Sequence, residues 1–181
     1  MEFEFVDTER LKLRKVTPEV YLYVFKNYSS EQLKMFWGVK DDDEIEKLGS
    51  RIDKGLTTFN KSFLYFYLID KTNDKVIGVC GFHTWYIDHN RAEIFYHLIN
   101  EEDKRKGLMS EAIPAIIDYG FNQMKLHRIE AFIGTNNLAS LSLVKKYAFI
   151  QEGHLREHYC KEGKMEDSLV FSLLKHGYFK Q

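Results

Sequence analysis

The chain is poor in cysteine: only Cys80 and Cys160 occur in 181 residues, each inside a strand-like run and neither at metal-ligand spacing. This excludes a disulfide scaffold and a cysteine-built metal site, and two free, buried thiols in a reducing compartment are expected. Proline is equally scarce, at two residues, and no Gly/Ser-rich or low-complexity tract interrupts the chain. Nothing resembles a linker or a repeat, so one folding unit over residues 1–181 is expected, with its core over about 11–175. No window approaches the roughly 18 apolar residues of a membrane helix, and the opening MEFEFVDTER is acidic without an apolar signal core. Cytoplasmic placement with no membrane partner is the expectation. Net charge is missing too, because 26 Lys+Arg balance 27 Asp+Glu to leave -1. No global field recruits nucleic acid, and any polyanion has to be met locally.

What the chain does have is a large apolar share, 44% hydrophobic and 15% aromatic, enough at this length for a well-developed core. Residues 10–16 alternate as a strand, and Thr17 before Pro18 is a cap and first-turn pair opening a helix to about Tyr28. A second helix is expected over 41–56. The runs SFLYFYLI (62–69) and VIGVCGFHTW (76–85) are aromatic and β-branched and flank a turn-rich pentapeptide, which reads as a hairpin. Residues 93–99 form the next strand, and Ala112, Ile116 and Tyr119 repeat at the helical period within 108–124. Then come a strand at 128–133, a helix at 138–147, and a hairpin of 149–159 with 165–174. The order predicts an α/β fold: a mixed, mostly antiparallel sheet of about seven strands flanked by about four helices.

The segment Lys104-Arg105-Lys106-Gly107 falls between a strand and a helix. Main-chain N–H groups at a helix N-terminus lack intrahelical partners and the helix dipole adds positive potential, so an anion such as a pyrophosphate is held there with little side-chain chemistry. Glycine permits close approach. By itself the segment also reads as a solvated basic surface.

Three segments together resemble the GNAT superfamily of acyl-CoA-dependent N-acetyltransferases, over about 11–175. RAEIFYHLINEEDKRKGLMSEA is similar to the family's strand, phosphate loop and helix. DYGFNQMKLHRIEAFIGTNNLASLSLVKKYAFIQEG is similar to its later strand and helix, with Asn137 followed by Ser140 and Phe149. Gly153, Arg156, Gly163 and Asp167 match the terminal hairpin of the branch that acetylates alanine N-termini of ribosomal proteins. The resemblance implies acetyl-CoA as cosubstrate, no metal, and a cofactor-binding set of Leu98, Ile99, Lys104, Arg105, Lys106, Gly107, Leu108, Met109, Ser110, Asn137, Ser140 and Lys146. Met109 stands where the loop pattern has a small residue, beside the pyrophosphate path, and Ala148 replaces the glycine before Phe149. Pro114, which cannot donate to the Ser110 carbonyl, should bend its helix.

Amide formation needs a neutral amine, and an alkyl ammonium with pKa about 10.4 is almost wholly protonated at pH 7. Glu93, fourteen residues before Gly107, occupies the interval of the family's strand glutamate and is the expected base, acting through water. Its other reading is a strand-edge carboxylate paired with Arg91 or Arg128. His83 is a second proton-handling candidate or a structural histidine, and His97 shares strand parity with Glu93. The family's tyrosine acid is Val144 here, which leaves Ser140, Ser142 and Tyr147 as donors to the leaving thiolate. Asn137 also suits a helix cap.

The acidic run Asp41, Asp42, Asp43, Glu44 and Glu46 either complements a helix dipole or, facing an acceptor groove, favours a cationic acceptor. The resemblance points first to the α-amino group of a protein. Polyamine or aminoglycoside acetylation and non-catalytic acyl-CoA sensing are the alternatives. Direct nucleic-acid binding is not expected, and the oligomeric state is left between monomer and homodimer.

Overall fold

The computed structural model describes residues 1–57 and 61–178. Its elements in order are β1 (Phe5–Asp7), β2 (Leu11–Val16), α1 (Pro18–Asn27), α2 (Ser30–Trp37), α3 (Asp42–Asp53), β3 (Lys61–Asp70), β4 (Val76–Tyr86), β5 (Arg91–Leu98), α4 (Leu108–Asn122), β6 (Arg128–Gly134), α5 (Leu138–Lys146), β7 (Ile150–Lys161), β8 (Lys164–Leu174) and α6 (Lys175–Tyr178). One eight-stranded sheet runs β1-β2-β3-β4-β5-β6-β8-β7 and is antiparallel at every pair except β5 with β6.

The mixed α/β architecture and the mostly antiparallel sheet are those expected. The counts are not: among the described residues there are eight strands and six helices. The extra strand, β1, is three residues long, too short for alternation to reveal, and exists by pairing with β2. Helix α2 is only eight residues long, yet its ends are well marked. Ser29 and Gln32 form a reciprocal capping box, and Gly38 closes the helix in a left-handed conformation at φ 70°.

Two apolar clusters cover the two faces of the sheet. Helices α1 and α2 bury Tyr21, Val24, Leu33, Phe36 and Trp37 against Phe63, Tyr67 and Val79 on one face. On the other, α4 packs Ile113, Ile116, Ile117 and Phe121 against Phe66, Phe82, Ile94 and Ile129.

Pro114 leaves α4 unbroken over Leu108–Asn122. The carbonyl that proline cannot satisfy, that of Ser110, instead accepts from the Tyr147 hydroxyl of the neighbouring α5 cap. Cys80 is buried and burial pushes its thiol pKa up, as expected of a structural thiol. Cys160 is exposed, against expectation, because β7 is the edge strand and almost all of it faces solvent.

Candidate active site

Strands β5 and β6 pair at only three positions, Arg91 with Arg128, Ala92 with Ile129 and Glu93 with Glu130. Beyond Glu93 the two strands run on to Leu98 and Gly134 without further pairing, so the sheet opens into a wedge. A cavity of about 1040 Å³ occupies the opening, lined by Glu93, Tyr96, Asn137 and Ser140 and by His158 and Asp167 from the terminal hairpin. A second cavity, of about 700 Å³, is lined by Trp37, Leu48 and Arg51 from the helices and by Tyr65, Tyr67 and His97 from the sheet. His83 and Phe95 line both, so the two spaces meet beside Glu93.

Glu93 is not paired with either arginine. Arg91 and Arg128 both bond to Glu130, at 2.6 and 2.8 Å, and Arg128 also reaches Glu152. Glu93 is left with the His83 imidazole, its Oε2 lying 3.5 Å from Nδ1. Burial, reinforced by the charge of Glu130 across the strand pair, pushes the Glu93 carboxyl pKa up to about 7. Burial also holds the His83 pKa below its ordinary value, so the imidazole favours its neutral form at pH 7 while the carboxyl is about half ionised. A carboxyl that titrates near neutrality is matched to accepting a proton at that pH.

The backbone beside this pair is strained. His83 Nδ1 lies 2.9 Å from the Thr84 hydroxyl, and Thr84, a β-branched residue, holds φ at 48° where the β4–β5 register slips between His83 and Tyr86. The irregularity re-aims the end of β4 at the point where the cavities join.

The basic segment 104–107 connects a short 3₁₀ turn over Glu101–Asp103 to α4. Arg105 and Gly107 are both left-handed, at φ 62° and 79°, which folds the chain tightly into the helix. The main-chain bonding of α4 begins with Glu111 N–H to the Gly107 carbonyl, 3.0 Å, leaving the N–H groups of Leu108, Met109 and Ser110 ahead of the ladder. Lys104 pairs with Glu101 and Lys106 lies 3.7 Å from Asp103, so the turn's own acids partly offset the lysines. Arg10 braces the loop by donating to the Lys106 carbonyl at 3.2 Å while its Nε bonds Glu111 at 2.6 Å. The residues present suit a pyrophosphate through main-chain donors and the exposed Arg105. Met109 packs its side chain on the apolar core instead of lying in the loop mouth.

The remaining expected residues are distributed as follows. Asn137 caps α5 by accepting from Ser140 N–H at 3.1 Å, and both residues line the wedge. Ser142 is exposed and lies outside the lining of the wedge, about half a helical turn from Ser140. Tyr147 donates its hydroxyl proton to the Ser110 carbonyl, which removes it from the thiolate donors. Lys146 is exposed and lies over the Tyr147 ring at 5.4 Å. Leu98 packs on the core, whereas Ile99 lines the second cavity with its N–H committed to the Ile77 carbonyl at 2.9 Å.

In the acidic run, Asp41 caps α3 by accepting from Glu44 N–H, and Asp42 pairs with Lys34. Only Glu44 reaches the second cavity, with its Oε2 bonded to Lys40 N–H at 2.8 Å. Asp41 and Asp42 therefore serve the helix start.

Two residues of interest escaped the sequence reading. Tyr96 lines the wedge with a buried hydroxyl that meets no hydrogen-bond partner among the described residues; burial raises its pKa, and the Ser140 side chain is close enough to draw it partly back down. Its parity on β5 with Ala92 and Ile94 reads simply as core. Arg51 sits in an ordinary-looking helical stretch whose acids draw attention first.

The site thus combines a wedge between parallel strands, a carboxyl titrating near neutrality at its vertex, and a helix start with three main-chain N–H groups ahead of the ladder on the strand's continuation. The profile of the Acetyltransferase (GNAT) domain matches residues 10–150. The chain is 33% identical over 174 residues to the uncharacterized N-acetyltransferase YoaA of Bacillus subtilis (strain 168), covering 96% of this chain and 98% of that one. It is 28% identical over 171 residues to the [ribosomal protein uS5]-alanine N-acetyltransferase of Escherichia coli (strain K12), covering 92% and 88%. A spermidine/spermine N-acetyltransferase from Vibrio cholerae, solved with manganese ions, superposes at TM-score 0.67 over 94% of this chain and 96% of that one, at 22% identity, and shares the fold. The chain belongs to the GNAT family and is an acetyl-CoA-dependent N-acetyltransferase that acts on amines.

Proposed function

We propose that this protein acetylates the N-terminal α-amino group of a protein, with Glu93 as the base. The observation that carries the reading is the Glu93 carboxyl, half-buried where the two cavities meet, with its pKa near 7. An α-ammonium of pKa about 7.7 to 8.0 lies within about one unit of that base, a transfer uphill by ~1.4 kcal/mol, whereas an alkyl ammonium near 10.4 is uphill by ~4.6 kcal/mol. The site is therefore tuned to the weaker base. The likeness to the alanine N-acetyltransferase supports the same class.

Acetyl-CoA supplies a thioester whose carbonyl the amine attacks and whose thiolate departs. Glu93 takes the ammonium proton through water, with His83 holding the carboxylate in place. Main-chain N–H groups of 108–110 and Arg105 hold the pyrophosphate. Tyr96, with Val144 at the position of the family tyrosine, keeps a phenolic proton on the wedge side, available to the departing sulfur.

The test is thiol release from acetyl-CoA with peptides beginning in Ala, Ser or Met, compared with polyamines and aminoglycosides. The expected result is turnover of peptides at a kcat/KM at least about tenfold above the polyamines, a difference of ~1.4 kcal/mol in transition-state binding. Turnover of polyamines alone would replace the peptide reading, and no turnover with any amine would favour a sensor.

Tyr96→Phe keeps the ring and removes the proton. Because a thiolate leaves readily, kcat should fall only about tenfold, below the usual range for a general acid, with acetyl-CoA affinity by calorimetry changed less than about twofold. An unchanged kcat would make Tyr96 part of the wall only.

A further inference from the structure

The second cavity presents donors and cations in excess. Arg51 and Lys47 line it, both are exposed, and among the described residues neither forms an ion pair. Trp37 stands in the same wall with 1% of its surface exposed, and among the described residues its buried indole N–H meets no acceptor. Among the described residues the only carboxylate in the lining is Glu44, already engaged by Lys40 N–H. His83 and His97 complete the titratable lining, and burial holds both below their ordinary pKa, so neither adds charge at pH 7. At that pH two fixed positive charges face one negative charge.

Arg51 shares the lining of the cavity with Tyr65 and Tyr67. Burial raises the phenol pKa values of Tyr21, Tyr65 and Tyr67 and the Arg51 charge offsets part of that rise, while at His97 the same charge adds to the lowering by burial, which puts the guanidinium in the neighbourhood of all four. A guanidinium among phenol rings without a counter-ion is suited to a planar carboxylate, which accepts two of its N–H bonds side by side.

We propose that the acceptor carries a carboxylate near its amine, as in a protein beginning Ser-Asp or Ala-Glu, and that Arg51, assisted by Lys47, binds that group in the second cavity. The proposal rests on the peptide reading above and narrows it to acidic N-termini. It opposes the cationic acceptor suggested by the acidic run 41–46, because Asp41 caps α3, Asp42 pairs with Lys34, and only Glu44 of the run lines the cavity, where it is outnumbered by Arg51 and Lys47. Polyamines are disfavoured by the same charges that favour a carboxylate.

The experiment compares three peptides identical except for Asp, Asn or Lys at the second position, with the wild type, Arg51→Lys and Arg51→Glu, at low and high salt. The expected order for the wild type is Asp above Asn above Lys, with Asp over Lys by about 30-fold in kcat/KM, and the ratio shrinking in high salt. Arg51→Lys should retain the order with a smaller ratio, because charge remains and the bidentate fork is lost. Arg51→Glu should reverse it, with acetyl-CoA affinity by calorimetry confirming that the cofactor side is intact.

A wild type that prefers the Lys peptide, or an order that survives Arg51→Glu, overturns the proposal. A parallel series of small amines, an amino acid against its decarboxylated counterpart and a diamine, separates the two readings. If peptides are inert but the carboxylated small amine is favoured, the N-terminal reading fails and carboxylate recognition stands. If the diamine is favoured, carboxylate recognition fails.

Discussion

Glu93→Gln should lower kcat/KM at pH 7 by about 10²-fold, within the usual range for loss of a general base, without weakening acetyl-CoA binding. The amide side chain keeps the shape and a hydrogen-bonding oxygen but cannot take up the proton. The deficit should narrow as pH rises, because more of the amine is neutral before it reaches the enzyme. The same variant should be more stable than the wild type above pH 7. Burial raises this carboxyl from its ordinary value near 4.5 to about 7, so the folded protein holds a proton that the unfolded chain has released between those values. Stability contributed by Glu93 is therefore lost as pH climbs through that window, and the neutral amide avoids the loss, by on the order of 2 kcal/mol. Thermal unfolding at pH 4 and pH 8 reads this difference directly. Activity near wild type at pH 7, or a stability gain with no pH dependence, would return Glu93 to a structural role.

Gly107→Val should weaken acetyl-CoA binding by about 2 kcal/mol, roughly 30-fold, measured by calorimetry. Gly107 stands at φ 79° immediately before α4, a conformation that a β-branched residue adopts only with strain. Space within the protein is not the obstacle, because a Cβ there would meet only the tip of Arg10, at 3.7 Å. The cost falls on the loop geometry and on the ligand's approach to the N–H groups of 108–110. Gly107→Ala separates the two effects, since it adds less strain while still placing a Cβ in the path. Unchanged affinity in both variants, with the fold intact by circular dichroism, would move the pyrophosphate elsewhere.

Much of this architecture is legible along the chain because it is local. The period of apolar residues marks β3, β4, α4 and β6, and Thr17-Pro18 and Gly107 mark where α1 and α4 begin, since capping and left-handed turns depend on a few neighbouring residues. Helix α2 was legible in principle, through Ser29, Gln32 and Gly38, but its two turns bury too few residues to impose a period. The interval from Glu93 to Gly107 is likewise local, one strand end plus one loop.

What the sequence by itself determined was the α/β class, the basic loop at the start of α4, and the strand that carries Glu93. The tertiary structure decided that Glu93 is not paired with Arg91 or Arg128, because the register of β5 on β6 hands both arginines to Glu130 and leaves Glu93 beside a histidine. It also decided that Pro114 calls on the Tyr147 hydroxyl, that Tyr96 keeps its own, and that Arg51 faces a cavity while Asp41 and Asp42 serve a helix start. Most of these depend on partners far apart in the chain. Desolvation and charge act through space, so a carboxyl pKa near 7 exists only once the sheet has closed around it.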